Sequence, residues 1–191
     1  MILPEPLQTV KRLGHKAFTV GEYNVNIVAI RNDITPQVNA FDDFITITFK
    51  SQGKWVSYWY PATTDPGLFY LQHPMKVSGT AILKEGQYRG SHKLGLHKGK
   101  PGLVQIKPVD VYRDGNRDEY HDPYGEIESS VIGLNVHRAG TNSVVVGRWS
   151  AGCVVFANEV HADDFLAICE ESAKLYGDNF TLTLVKASEL A

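Results

Sequence analysis

The chain is poor in cysteine: its 191 residues hold only Cys153 and Cys169. Two thiols are too few for a disulfide framework, and without a CxxC pair they do not suggest a zinc site. A single Cys153–Cys169 bridge stays open at this stage. Charge of one sign is also lacking, because 19 Lys and Arg face 21 Asp and Glu for a net charge of -2. No basic stripe appears, so a nucleic-acid partner is not expected. The basic run His92 to Lys100 is broken by Gly95 and Gly99 and reads as a solvated loop. No apolar stretch approaches the ~20 residues of a membrane span. Met1 to Pro6 lacks a basic segment followed by an apolar one, so a secretory signal is not expected either. HExxH is missing, and His92 and His97 do not share the i, i+4 spacing of a zinc helix. No metal or cofactor is therefore expected.

No internal repeat, low-complexity tract or linker divides the chain. The apolar share of 43% is enough for one core without disulfides. The reading is one domain, 23–191, behind an N-terminal extension, 1–22; oligomeric state is left open. Most of it reads as strand. Tyr23 to Ile30, Phe44 to Phe49 and Trp55 to Tyr60 are rich in β-branched and aromatic residues, and Ser51-Gln52-Gly53-Lys54 makes a hairpin of the last two. Further strands are expected at 79–83, 103–106, 109–112, 133–137, 143–146 and 180–185. Tyr58, Trp59 and Tyr60 read as core on one face rather than as a sugar-stacking surface.

Two helices are expected. Glu5 to Leu13 is short and stops at Gly14. Ala162 to Tyr176 is long: Phe165, Ile168, Cys169, Ala173 and Tyr176 form one apolar stripe, Asp163 and Asp164 occupy the first turn, and Gly177 ends it. Cys169 falls on the buried stripe. Arg113 to Glu128 is the most polar stretch and reads as a loop. Its Asp114-x-Asn116-x-Asp118 spacing resembles a calcium loop, but Glu119 stands where such a loop needs glycine and Gly125 where it needs glutamate.

The chemistry concentrates in 132–157. Ser150-Ala151-Gly152-Cys153 puts a cysteine on a tight glycine-bearing turn, followed by the apolar Val154-Val155-Phe156. Gly152 permits close backbone approach, and the N–H groups of Gly152 and Cys153 can face a developing oxyanion. A thiol needs a nearby base or positive charge to become a good nucleophile. His137 ends an expected strand, and 141–146 can bring the chain back to the cysteine. The bland alternative is a small buried Cys near a satisfied His.

His137, a short hairpin-like spacer, then Ser150-x-Gly152-Cys153 and an apolar residue resembles the catalytic domain of the L,D-transpeptidases (YkuD-type). Gly86 to Gly90 looks like the family's glycine-and-aromatic strand, Leu134 to His137 like its strand leading to His, and Phe180 to Val185 like its closing strand. Ala151 replaces the usual His, Val155 the usual Asn or Arg, and the His-to-Ser spacer is a little short. A related subset with a Trp-Ser-Ala-Gly-Cys core looks similar.

The resemblance implies a mainly β (α+β) fold: a sandwich or barrel-like sheet with one long helix after the catalytic turn. It implies acyl transfer on peptidoglycan stem peptides through a thioester on Cys153, with His137 as general acid–base. The acyl group would pass to a second amine, or to water in a carboxypeptidase or endopeptidase. Arg138, through its carbonyl, and Ser150 are the candidates for orienting His137. Arg148 could hold a substrate carboxylate, Trp149 could wall the pocket, and Asn135 could line it. The place of action would be the cell wall, periplasmic, extracellular or phage-associated. The alternative is a non-catalytic cell-wall-binding or phage structural module.

Overall fold

A computed structural model describes residues 2–190. In chain order the elements are α1 (Glu5–Arg12), β1 (Asn26–Arg31), β2 (Asp43–Ser51), β3 (Lys54–Thr63), α2 (Leu68–Gln72), β4 (Thr80–Leu83) and β5 (Gly86–His97). Then come β6 (Lys100–Gln105), β7 (Val109–Asp114), β8 (Glu128–Ser130), β9 (Val136–Arg138), β10 (Val154–Phe156), α3 (Glu159–Tyr176) and β11 (Phe180–Lys186). Eight strands close a barrel in the order β1-β11-β5-β6-β9-β10-β3-β2, and β4-β7-β8 form a second, three-stranded sheet. The fold is thus mainly β with a mixed barrel, not two packed sheets. Closure leaves its strands no free edge.

Alternation along the strands sends one row of side chains inward. Ile27, Ala29, Ile45, Ile47, Ala62, Leu103, Val136, Val154, Phe156, Leu182 and Leu184 meet in the core. Phe165 of α3 joins them, its ring 5.0 Å from that of Phe156. The N-terminal extension covers the outside of the same wall. Leu7, Val10 and Ala17 pack on Val28, Ile30 and Val185, which is why Val28 and Ile30 are buried although Ile27 and Ala29 take the core side of β1. Pro at the start of α1, Glu5 in its first turn and Lys11 and Arg12 in its last suit the helix dipole.

Several expectations need correction. The hairpin of β2 and β3 is in place, but 86–97 is a long strand and the run His92 to Lys100 is the β5–β6 hairpin rather than a loop. Gly95 sits under Val104, whose methyl carbon would lie 2.7 Å from an added Cβ, so the glycine reflects close cross-strand packing. Residues 143–146 are not a strand; the pairing nearest to them is an isolated bridge, Asn142 to Asn158. α3 begins at Glu159, capped by the Asn158 side chain on the Val160 N–H at 2.8 Å, so Asp163 and Asp164 lie beyond its first turn. Arg113 and Glu128 belong to β7 and β8, and only the residues between those strands form the polar loop.

A buried polar knot fixes the end of β3 that leads to the site. Arg31 reaches Asp65 at 3.0 Å and Glu85 at 3.0 Å. Asp43 accepts the N–H of Asn32 at 2.7 Å and both the N–H and the hydroxyl of Thr64 at 2.6 and 2.8 Å. Two residues beyond Asp65, the Gly67 N–H donates to the Ser150 carbonyl at 2.9 Å.

Candidate active site

β9 and β10 are parallel neighbours in register, Val136 with Val154 and His137 with Val155. The expected hairpin-like spacer is therefore a crossover, because parallel strands cannot be joined by a tight turn. The register sets Cys153 beside Asn135. Val136 and Val154 point into the core, and the alternate residues face outward.

The Cys153 turn is built from its own backbone and its neighbours. Ser150 is fully buried. Its hydroxyl donates to the Cys153 carbonyl at 2.8 Å and accepts the Gly152 N–H at 3.1 Å. Ser150 thus shapes the turn and does not orient His137. The same bond corrects the role given to the Gly152 N–H, which is occupied. The Cys153 N–H has no hydrogen-bond partner among the described residues and is the donor left for an oxyanion. Gly152 has φ +117, and a Cβ there would lie 2.4 Å from the Ala81 carbonyl oxygen. Glycine is required on both counts. From the other side, the Asn39 side chain accepts the Gly147 N–H at 2.6 Å.

Both cysteines are free, Cys153 partly exposed and Cys169 buried on α3, so the one possible disulfide is not formed. The Cys153 sulfur accepts the Asn135 N–H at 3.4 Å, and its thiol donates to the Gly133 carbonyl at 3.6 Å. Burial pushes the thiol up, against the Asn135 N–H and the Lys98 charge, which pull it down. Cys169 is pushed up further by burial and by Glu170 and Asp178.

His137 Nδ1 lies 2.9 Å from the Arg138 carbonyl oxygen. A carbonyl only accepts, so the neutral ring carries its proton on Nδ1 and leaves Nε2 bare. That Nε2 is buried and has no partner among the described residues. Burial holds His137 down at about 4, with lesser contributions from His97 and Lys98. At neutral pH the resting pair is therefore thiol and neutral imidazole. No hydrogen bond joins them, although both line one cavity of about 330 Å3. Catalytic hydrogen bonds are often loose until substrate is seated.

Arg148, Trp149 and Gly152 line that cavity too. The Arg148 guanidinium lies 3.7 Å from the Phe69 ring centroid, and Trp149 is half exposed. The Arg138 side chain instead pairs with Glu159 at the start of α3. Asn135 does not line the cavity. Its Oδ1 accepts the Gln105 N–H at 2.9 Å, which leaves its amide nitrogen to donate to His97 Nδ1 at 2.8 Å. His97 therefore carries its proton on Nε2 when neutral. Its ring stacks on His137 with centroids 4.1 Å apart and planes 17° apart.

His97 escaped the sequence reading because only barrel closure, with β6 beside β9, carries the β5–β6 hairpin to His137. Lys98 enters the cavity by the same route. A second cavity of about 430 Å3 shares His97, Lys98, His137, Arg148 and Trp149 with the first. Compared with family models, curated proteins and solved structures, the chain matches none.

Proposed function

We propose that this chain is a cysteine-dependent acyltransferase of peptidoglycan stem peptides, of the L,D-transpeptidase type. One observation carries the chemistry. Cys153 and His137 come from adjacent parallel strands to one cavity, with the imidazole tautomer fixed by the Arg138 carbonyl and Nε2 left free. The peptidoglycan assignment rests on the resemblance of His137, Ser150, Gly152 and Cys153 to the family's pattern.

In the first step the Cys153 sulfur attacks the amide carbonyl carbon while its proton moves to His137 Nε2. The Cys153 N–H faces the oxyanion. The C–N bond then breaks, and His137 returns the proton to the departing amine, leaving a thioester. In the second step an amine, or water, attacks the thioester and gives its proton to His137, which passes it to the leaving thiolate. The two cavities that meet at His137 and Trp149 suit a donor and an acceptor.

The test is incubation with purified sacculi followed by mass analysis of the muropeptides. New 3→3 links mean transfer, lost D-alanine means carboxypeptidase action, and cut cross-links mean endopeptidase action. No change, with Cys153→Ala identical to the wild type, refutes the enzyme. That result favours a non-catalytic wall-binding or phage structural module, the reading that the missing thiol–imidazole hydrogen bond supports. A faster check is iodoacetamide labelling, where Cys153 is expected to react far ahead of buried Cys169.

A further inference from the structure

The cavity before Cys153 is lined by four cationic side chains, Lys76, Lys98, Arg113 and Arg148, and by no aspartate or glutamate. This one-sided lining is unexpected in a chain whose acids outnumber its bases. Glu128 offsets part of the charge from outside the cavity, bonding Lys76 at 3.1 Å and Arg113 Nε at 2.8 Å. Among the described residues, neither Lys98 nor Arg148 pairs with a carboxylate.

Arg113 is the unusual member. Among the described residues its Nη1 makes only a long contact to the Gly79 carbonyl, 3.4 Å, and its Nη2 is buried with no partner. Leaving a buried guanidinium N–H unmet is costly, and the cost is relieved if a ligand supplies the acceptor. Its place in the fold is defined. Arg113 on β7 pairs with Ala81 on β4, so the two side chains share a face of the small sheet. The Ala81 carbonyl is the group against which Gly152 is packed. Arg113 therefore stands one strand away from the residue that abuts the cysteine turn.

We propose that the cavity selects an acyl substrate bearing a free carboxylate, which it anchors on Arg113 while Lys98 and Arg148 supply the surrounding positive field. The proposal rests on the reading of Cys153 as the nucleophile, and it assigns the anion-recognising role to a residue of the small sheet. A guanidinium pairs with the planar carboxylate through directed N–H bonds. A phosphate would satisfy the same donors, so the test separates the two.

The experiment uses the intact chain and two alkylating agents of nearly equal size, anionic iodoacetate and neutral iodoacetamide. The ratio of their rates at Cys153 is expected to exceed the free-cysteine ratio by about tenfold or more and to fall toward it in 1 M salt. Succinate is expected to slow iodoacetamide labelling, while succinamide, and inorganic phosphate at matched ionic strength, do so less. Arg113→Gln should lose the succinate protection and Arg113→Lys keep part of it. If Arg113→Gln does not fold, Lys98→Gln and Arg148→Gln are read for a lowered rate ratio.

A rate ratio equal to that of free cysteine overturns the proposal. So does a failure of succinate to protect, or stronger protection by phosphate than by succinate. These assays need only a thiol in reach of solution. Inactivity on sacculi with succinate protection intact would refute the enzyme and leave the anion site standing.

Discussion

Ser150 offers the sharpest test of how the cysteine turn is built. Ser150→Ala removes one hydroxyl that holds both the Cys153 carbonyl and the Gly152 N–H. Ser150 is fully buried, so water cannot easily replace it. A buried polar group left without its partner costs about 1–3 kcal/mol, which puts the pair at about 2–6 kcal/mol. For a chain of this length each kcal/mol moves the midpoint by about 2–4 °C, so a fall of at least about 4 °C and up to about 24 °C is expected in calorimetry. The freed Gly152 N–H also loosens the turn, and iodoacetamide labelling of Cys153, followed by mass spectrometry, should change. The His137 ring should titrate as before by NMR, because its partner is the Arg138 carbonyl. A stability unchanged within about 0.5 kcal/mol, together with an altered His137 titration, would refute this account and return Ser150 to the role of orienting the base.

Gly152→Ala should cost at least about 3 kcal/mol, since φ is +117 and the new Cβ would meet the Ala81 carbonyl oxygen at 2.4 Å; urea melts and a loss of selective Cys153 labelling check it. Burial holds His92 and His137 at about 4, so between pH 6.5 and 4 the unfolded chain takes up protons that the folded chain refuses, and each ring costs up to about 3 kcal/mol at pH 4. Asp43, held up at about 7 by burial, acts with the opposite sign between pH 7 and 4, so the observable is the change with pH in the stability gap between wild type and His92→Gln. Asn135→Ala frees His97 and strands the buried Gln105 N–H, with an expected loss of about 1–3 kcal/mol and a shifted His97 ring signal in NMR. Phe165→Ala should cost about 3–5 kcal/mol by emptying the contact between α3 and Phe156, checked by chemical denaturation.

What the sequence made legible was local. The β2–β3 hairpin, α1, most of α3 and the cysteine turn all announce themselves through alternation, apolar spacing or glycine at a fixed position. What escaped was decided by long-range closure. The second half of β5 is hidden by Gly95 and its polar residues, which resemble a loop until the neighbouring strands are in place. His97, Lys98 and Arg113 come to the cysteine from a hairpin and a strand far from it in sequence, through pairings that no local pattern encodes. The resemblance puts Asn135 in the lining of the site. Its amide instead turns between the Gln105 N–H and His97, which only the β6–β9 pairing makes possible. Across 113–128 composition is polar, so it does not separate the ends of β7 and β8 from the loop between them.

The parallel pairing of β9 with β10 separates two kinds of spacing. The distance between thiol and base is set by backbone bonds across the ladder, such as that from the Val154 N–H to the Asn135 carbonyl at 3.0 Å. The number of residues between His137 and Ser150 sets only the path of the connection. That connection passes through exposed Val144 and Val145, where residues can be gained or lost while the ladder holds. A shortened spacer is therefore a change in the tether and not in the geometry of the reacting pair. The same tether is a place where the chain could be opened and its ends rejoined elsewhere, leaving base and nucleophile on separate but still adjoining strands.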